Sequence, residues 1–184
     1  MYFLIKREWQ QISTWLFRGT FCLRDQNYFA YPIEILQFNE LCKEKALNVT
    51  KLLSVNNCTM TLMDNGEVYG WGDNRNAILA NNHLRQLVYD TGYYKPTSIY
   101  KSYTGNVVDF DISTNVFVML TDQGEAYWAG FDEVMAPVKL KTPGNVKVLS
   151  VGATEDGLGL VCEDGETYGW NTFYAGNQKA HHLN

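Results

Sequence analysis

The sequence lacks the features that mark nucleic-acid-binding and membrane-spanning proteins. It has no run rich in lysine or arginine, and its 15 basic residues are outweighed by 20 acidic ones, which gives a net charge of -5. Because neutralising phosphates supplies most of the affinity for a duplex, we expect no nucleic-acid partner. No apolar run approaches the ~18 residues that a membrane helix needs, so we expect no membrane span.

Groups suited to catalysis or metal binding are also scarce. The four cysteines are far apart and form no C-x-x-C pair: Cys22, Cys42, Cys58 and Cys162. Such spacing is typical of reduced, buried thiols in an intracellular protein. Of the three histidines, His181 and His182 are adjacent, and their spacing alone does not define a metal site. No P-loop, nucleophile elbow or zinc-ligand pattern occurs, so we expect no catalytic residue, no cofactor, no metal and no enzyme activity.

What the sequence does contain is a threefold repeat. Aromatic residues make up 14% of the chain, with 12 Tyr and 9 Phe, which favours strands over helices. The segment DNGEVYGWG (64–72) returns as DQGEAYWAG (122–130) and as EDGETYGWN (163–171). Each follows an apolar segment that we take to begin at Val49, Val107 and Val146, which lie 17, 17 and 19 residues before the hairpin glycine. By this alignment the third copy has two extra residues. A unit that recurs three times in one chain indicates a propeller or another repeat array.

Turn chemistry assigns each repeat to a β-hairpin. The pairs Asn65-Gly66 and Asp164-Gly165 tolerate the positive φ angles of tight turns. The preceding strands are apolar at nearly every position, which is typical of sheets covered on both faces, as stacked propeller blades are. Prolines 32, 96 and 137 are each expected to begin a further strand that opens the next repeat.

These motifs resemble the repeats of the regulator of chromosome condensation family, which runs approximately as D/E-x-G-x-V-Y-x-W-G-x-N. The matching residues are Asp64, Gly66, Val68, Tyr69, Trp71, Gly72 and Asn74 in the first copy; Asp122, Gly124, Tyr127 and Gly130 in the second; Asp164, Gly165, Tyr168 and Trp170 in the third. The resemblance covers about residues 30–175. It implies a β-propeller, typically of seven blades, and guanine-nucleotide exchange is the founding role of the family.

The chain departs from this pattern at positions that a family member can use for contacts. NAILA, from Asn76, replaces the usual G-Q-L-G, and Cys58 stands in place of a histidine. In the second copy, Ala129 stands where the motif has its tryptophan. We therefore transfer the fold and no functional residue. The expected fold class is all-β, an incomplete β-propeller of about three to four antiparallel blades, with a short N-terminal helical segment.

The expected organisation has three parts. Residues 1–30 form an amphipathic or capping segment with a degenerate first strand, 31–175 form the blades, and 176–184 form a tail. Ile5, Trp9, Ile12 and Leu16 fall on one face of a basic helix, which is typical either of a capping helix or of a mitochondrial targeting segment. We expect an intracellular protein and leave the choice between cytoplasm and mitochondrion open.

Three blades and a fragment do not close a ring, because closed propellers need roughly four to eight blades. We therefore expect a non-catalytic structural or accessory subunit, a scaffold that docks into a larger complex with other protein subunits. A second propeller fragment or a second copy of the chain are the two candidates for completing it. The alternative functions are guanine-nucleotide exchange on a small GTPase and an enzyme with a site in the central channel.

The long connection between Asp73 and Lys95 is the predicted contact surface, since long loops are commonly functional and Tyr and Arg are favoured at interfaces. The candidate partner-binding residues are Arg75, His83, Arg85, Tyr89, Tyr93 and Tyr94. Acidic residues at the hairpin tips, if the blades align, form an arc suited to a basic partner.

Overall fold

The computed structural model describes residues 4–5, 12–14, 33–34, 36–55, 58–74, 76–82, 93–131, 133–171 and 181–182. These residues form fifteen β-strands, one α-helix and a short 3₁₀ turn at Pro143–Asn145. The first strands are β1 (Leu4–Ile5), β2 (Ile12–Thr14) and β3 (Ile33–Glu34), followed by helix α1 (Leu36–Lys45).

Three four-stranded antiparallel sheets follow, and each contains one of the three sequence repeats. Blade 1 consists of β4 (Val49–Val55), β5 (Cys58–Met63), β6 (Val68–Gly72) and β7 (Tyr93–Ser98). Blade 2 consists of β8 (Val107–Ile112), β9 (Val116–Thr121), β10 (Ala126–Gly130) and β11 (Val134–Lys139). Blade 3 consists of β12 (Val148–Ala153), β13 (Gly157–Cys162), β14 (Thr167–Asn171) and β15 (His181–His182). A fourth sheet contains β1, β2 and β3, so the chain is a partial β-propeller with the predicted number of blades.

The strand register shows that the stretch from the opening valine to the hairpin glycine has the same length, 17 residues, in all three repeats. Val49 pairs with Met63, Val107 with Thr121, and Val148 with Cys162, and in each blade the register shifts immediately afterwards. Val148 therefore begins the third copy, and the expectation that Val146 does so, with two extra residues, is wrong. The alternating sequence VKVLSV fits both registers, and only the pairing with β13 distinguishes them.

The prolines lie at the outer edge of each blade, contrary to the expectation that they begin the next repeat. Pro96 lies within β7, which pairs with β6, and Pro137 lies within β11, which pairs with β10. Both strands are the outermost of their sheets, and their register is interrupted where the proline lies. A residue without an N–H is tolerated at an edge or a bulge because no ladder hydrogen bond is lost there. Pro32 lies outside the described residues.

The central strands are buried on both faces, as their unbroken apolar sequence predicted. On β9, Phe117 and Met119 belong to the core between blades 1 and 2, whereas Val116, Val118 and Leu120 belong to the core between blades 2 and 3. All six residues of β9 are buried. Each sheet therefore contributes alternate side chains to two different cores, which is the packing of propeller blades.

The helix of the fold lies later in the chain than predicted. Ile5 and Ile12, assigned to one face of an N-terminal helix, pair with each other in the antiparallel strands β1 and β2; Trp9 and Leu16 lie outside the described residues. Here strand pairing overrides a short helical pattern in the sequence. The observed helix, α1, covers the face of blade 1 that points away from blade 2. Phe38 of the helix contacts Trp71 there, with ring centroids 5.1 Å apart.

Candidate interaction surface

Each hairpin turn inside the array is a contact point for the next blade. The Gly66 carbonyl accepts a hydrogen bond from the Val107 N–H at 3.2 Å, and the Gly124 carbonyl accepts one from the Val148 N–H at 2.9 Å. Both glycines have positive φ, +79° and +73°. A Cβ atom at Gly66 would lie 2.5 Å from the Cβ of Asn106, so the turn has room only for glycine. The junction thus pairs a glycine turn with a polar residue followed by valine.

The third turn has the same conformation but no such neighbour. Gly165 has φ +85°, and the turn closes with the same hydrogen bond, from the Gly165 N–H to the Cys162 carbonyl. A Cβ atom built at Gly165 meets nothing within 4 Å. Among the described residues, the third turn therefore has no neighbouring strand of the kind that contacts the first two turns.

The face of blade 3 that points away from blade 2 differs in composition from the matching faces of blades 1 and 2. Aligned on the hairpin glycines, the buried residues of β5 and β9 at these positions are Cys58, Met60, Leu62, Val116, Val118 and Leu120. Their counterparts on β13 are Gly157, Gly159 and Val161, and Val161 is 42% exposed. This outward face of blade 3 is formed by smaller side chains and is incompletely covered.

Three glycines lie directly opposite one another across this face. Gly152 pairs with Gly159, and Gly159 pairs with Gly169, which in turn pairs with His181 of β15. We call Gly152, Gly159 and Gly169 the glycine row. A Cβ atom at Gly159 would have its nearest neighbour at 3.8 Å, so the absence of a side chain there is not forced by crowding within the described residues. The signal in the sequence is glycine at positions that are apolar in the first two repeats, and the sequence-based contact residues did not include it.

Side-chain ties between the innermost strands join blade 1 to blade 2 and blade 2 to blade 3. The Lys51 ammonium lies 2.7 Å from the Asp109 carboxylate and donates to the Phe110 carbonyl at 2.7 Å. The Asp111 carboxylate accepts a hydrogen bond from the Ala153 N–H at 2.8 Å. On β12, the residues at the positions of Asp109 and Asp111 are Ser150 and Gly152, by the shared register. Blade 3 therefore presents no charged tie of this kind on its innermost strand.

Carboxylates at the hairpin tips of blades 1 and 2 have partners within the chain. The Tyr69 hydroxyl donates to Glu67 at 2.8 Å, and Lys45 lies 3.4 Å from the same carboxylate. In blade 2, Lys139, Thr104 and Tyr127 all donate to Glu125. These donors, the Lys139 ammonium above all, lower the pKa of Glu125 to about 2. Internal ion pairs reduce the free negative charge of the predicted acidic arc.

The pKa of Glu125 predicts a difference between the protein and its Glu125→Gln variant that depends on pH. A carboxylate with a lowered pKa stabilises the fold fully above its unfolded pKa, and this contribution is lost as the pH falls from about 4.5 to about 2. We expect Glu125→Gln to cost about 1 kcal/mol in unfolding free energy at pH 7, and nothing near pH 2. Urea titrations across this range measure it, with Glu133→Gln, an exposed glutamate, as the matched control. A pH-independent difference would contradict the assignment.

The loop after β6 is strained where the sequence departs from the G-Q-L-G pattern. Ala77 and Ala80 take the places of the two glycines and adopt φ angles of +59° and +48°. The loop is held against its neighbours by hydrogen bonds from the Asn76 amide to the Thr114 carbonyl and the Asn115 side chain, both at 2.9 Å. The Ala80 carbonyl also accepts the Tyr100 N–H at 2.8 Å. This loop is therefore a strap between blades 1 and 2 that imposes a left-handed backbone on alanine.

Restoring glycine at either alanine is expected to stabilise the protein. A side chain in the left-handed region costs about 1–2 kcal/mol, and glycine removes this strain. Part of the gain is offset, because glycine also raises the conformational entropy of the unfolded chain. We expect Ala77→Gly and Ala80→Gly each to raise the unfolding free energy by about 0.5–1 kcal/mol, measured by chemical denaturation. Ala126→Gly, within β10, is the control and is expected to lower stability. A loss of stability at all three positions would show that the backbone at Ala77 and Ala80 is not strained.

The predicted contact residues are not assembled by the described structure. Tyr93 and Tyr94 lie on β7, the edge strand of blade 1, while Arg75, His83, Arg85 and Tyr89 lie outside the described residues. Their role in partner binding stays a prediction.

The described cysteines match their expected character. Cys42, Cys58 and Cys162 are buried, and burial raises the pKa of the Cys42 and Cys162 thiols. In the described ranges no three His, Cys, Asp or Glu residues come together as a metal site. None of the described helical segments has the length and apolar character that crossing a membrane requires.

The geometry defines the class: stacked four-stranded blades joined at glycine turns form a partial β-propeller with the RCC1-like fold. No protein-family model and no curated protein sequence matches the chain. Solved structures do match it. Human WBSCR16 superposes with a TM-score of 0.64 and 15% identity over 88% of this chain and 45% of its own.

Two structures of the same fold from yeast are similar at the same level. Prp20p from Saccharomyces cerevisiae has a TM-score of 0.69 and 15% identity, covering 95% of this chain and 46% of its own. Yeast RCC1 (Prp20), solved with Kap60 bound, has a TM-score of 0.68 and 16% identity, covering 96% of this chain and 46% of its own. The chain spans a little under half the length of these proteins, and identities this low establish the fold alone.

Proposed function

We propose that this chain is a non-catalytic protein-interaction scaffold that docks its blades into a larger assembly. The observation that carries the proposal is the third hairpin. Its turn repeats the conformation of Gly66 and Gly124, both of which seat the next blade, yet Gly165 has no described neighbour within 4 Å. Repeat arrays whose terminal face is not covered associate through that face.

Two further observations support protein binding. Val161 of blade 3 is exposed on the outward face, where its counterparts Leu62 and Leu120 in the other blades are buried against a neighbouring blade. The similar yeast structures were determined in work on protein binding: Prp20p with Gsp1p and histones, and RCC1 with Kap60. Those partners belong to those proteins; for this chain they support protein binding as the use of the fold.

Light scattering coupled to size exclusion tests the scaffold proposal. We expect the isolated chain at micromolar concentration to self-associate or to require a partner for solubility, because no described residue occupies the Gly165 turn on the outward face of blade 3. A stable, soluble monomer across this range would refute the proposal.

Guanine-nucleotide exchange on a small GTPase is the second candidate. The supporting observation is the likeness of fold to Prp20p, whose structural study included its binding to Gsp1p. Exchange acts through interface contacts that distort a nucleotide site, so it needs no catalytic side chain in this chain. A nucleotide-release assay with a panel of purified small GTPases tests it, and no acceleration of release with any of them would reject it.

A further inference from the structure

We propose that the Asp164–Gly165 turn and the outward face of blade 3 form a docking site for a further antiparallel β-sheet of the same build, presented by a partner protein. The proposal rests on the scaffold function and identifies its surface. It is continuous with the two junctions that the chain already contains, at Gly66 and Gly124.

The turn specifies how the partner sheet begins. At both internal junctions the residue above the glycine is polar, Asn106 or Lys147, and the following valine donates its N–H to the glycine carbonyl. The Gly165 carbonyl offers the same acceptor in the same turn. A partner strand that begins with a polar residue followed by valine reproduces this contact.

The charge near the turn favours lysine as the polar residue. Glu163, Asp164 and Gly165 are all exposed. At the second junction the side chain of Lys147 lies against Gly124, the residue that Gly165 matches in blade 3. An incoming lysine at Gly165 would meet carboxylates on both preceding residues, which attract its ammonium group.

The glycine row leaves room for large apolar side chains on the partner. Gly70 of blade 1 occupies the position of Gly169, and there the Leu79 side chain packs so closely that a Cβ atom would lie 2.6 Å from it. Leu79 belongs to the connection that follows β6 in the same blade, so a glycine at this position leaves room above the sheet for a bulky apolar side chain. The face of blade 2 that meets blade 1 presents residues of this kind, Phe110, Phe117 and Met119.

The test extends the full chain after Asn184 with a second copy of its residues 100–141, which carries blade 2 and its leading connection. We expect backbone amides of β12 and β13 to exchange with solvent about tenfold more slowly, or slower still, than in the unextended chain, because the face is then covered. A second extension carries N106K in the added copy and is expected to protect the same amides at least as well.

Gly165→Ala supplies the matched variant, because its Cβ atom meets no described residue within 4 Å in the chain alone but would clash with a docked residue. We expect it to abolish the protection in both extended chains and to lower their melting midpoint by about 2–4 °C more than it does in the unextended chain. Gly144→Ala has φ +67° and an ordinary 3.7 Å contact, so it is expected to leave the protection intact.

Two results would overturn the proposal, and two further results bear on the occupant and on the scaffold function. Unchanged exchange in both extended chains, or an equal effect of Gly165→Ala with and without the extension, would show that this face does not bind a sheet. Self-association of the unextended chain that Gly165→Ala abolishes would make a second copy the occupant. A stable monomer of the unextended chain, together with protected β12 and β13 in the extended chains, would instead refute the scaffold proposal while leaving the surface assigned.

Discussion

Phe117→Ala is expected to lower the free energy of unfolding by about 3–5 kcal/mol. The Phe117 side chain is fully buried in the core between blades 1 and 2, with its ring centroid 6.1 Å from that of Phe110. Because β9 is buried on its other face as well, the strand cannot move into the space that the ring leaves. The variant therefore loses the transfer free energy of the ring. It also leaves a cavity that stays open, whose lining residues lose their packing contacts. Equilibrium denaturation by urea measures the change.

Val138→Ala is the matched control for this prediction. Val138 lies on the edge strand β11 of the same blade and is 41% exposed, so its removal creates no closed cavity. We expect a change within about 0.5 kcal/mol. Similar losses at both positions would mean that the interface between blades 1 and 2 is not packed as the structure shows.

Gly130→Ala is expected to destabilise the protein by about 2–5 kcal/mol, the sum of backbone strain and overpacking. Gly130 ends β10 with φ +129°, a conformation that side chains rarely adopt. A Cβ atom there would lie 2.2 Å from the Asn115 carbonyl oxygen and 3.0 Å from the Cα of Val116. Both obstacles are backbone atoms of the paired strand, so they cannot rotate away as a flexible side chain would. Thermal unfolding with calorimetry gives the size of the loss.

Gly144→Ala separates the two causes, because Gly144 also has positive φ but its Cβ atom would meet only the Val146 methyl at 3.7 Å. We expect a cost of about 1 kcal/mol there, from the left-handed backbone alone. If Gly130→Ala cost no more than this, the close approach of Asn115 would be refuted.

Local chemistry in the sequence was sufficient to predict the hairpins. Asn65-Gly66 and Asp164-Gly165 form the tight turns that their residues favour, and the glycines have positive φ as expected. The unbroken apolar pattern of Val116–Thr121 correctly predicted a strand buried on both faces. These predictions succeeded because turn conformation and burial on both faces depend on residues close together in the chain.

Register and strand order could not be predicted in the same way. Val146 and Val148 both fit an alternating strand, and only the partner strand β13 selects Val148. Pro96 and Pro137 mark edge strands of the preceding blade, although proline is equally compatible with the first position of a new strand. Ile5 and Ile12 pair across a sheet although their spacing fits a helix. In each case the deciding contact is with another strand, which the residues of the segment itself do not reveal.

The sequence by itself determined that this protein repeats one hairpin three times and that its central strands are covered on both sides. Only the tertiary structure decided which glycine turns are occupied, because Gly66, Gly124 and Gly165 have the same local conformation and differ only in what lies next to them. Local residues set the shape of a turn, whereas its neighbours depend on the stacking of whole sheets. That stacking places Asn106 and Lys147 on the first two turns, and no described residue on the third.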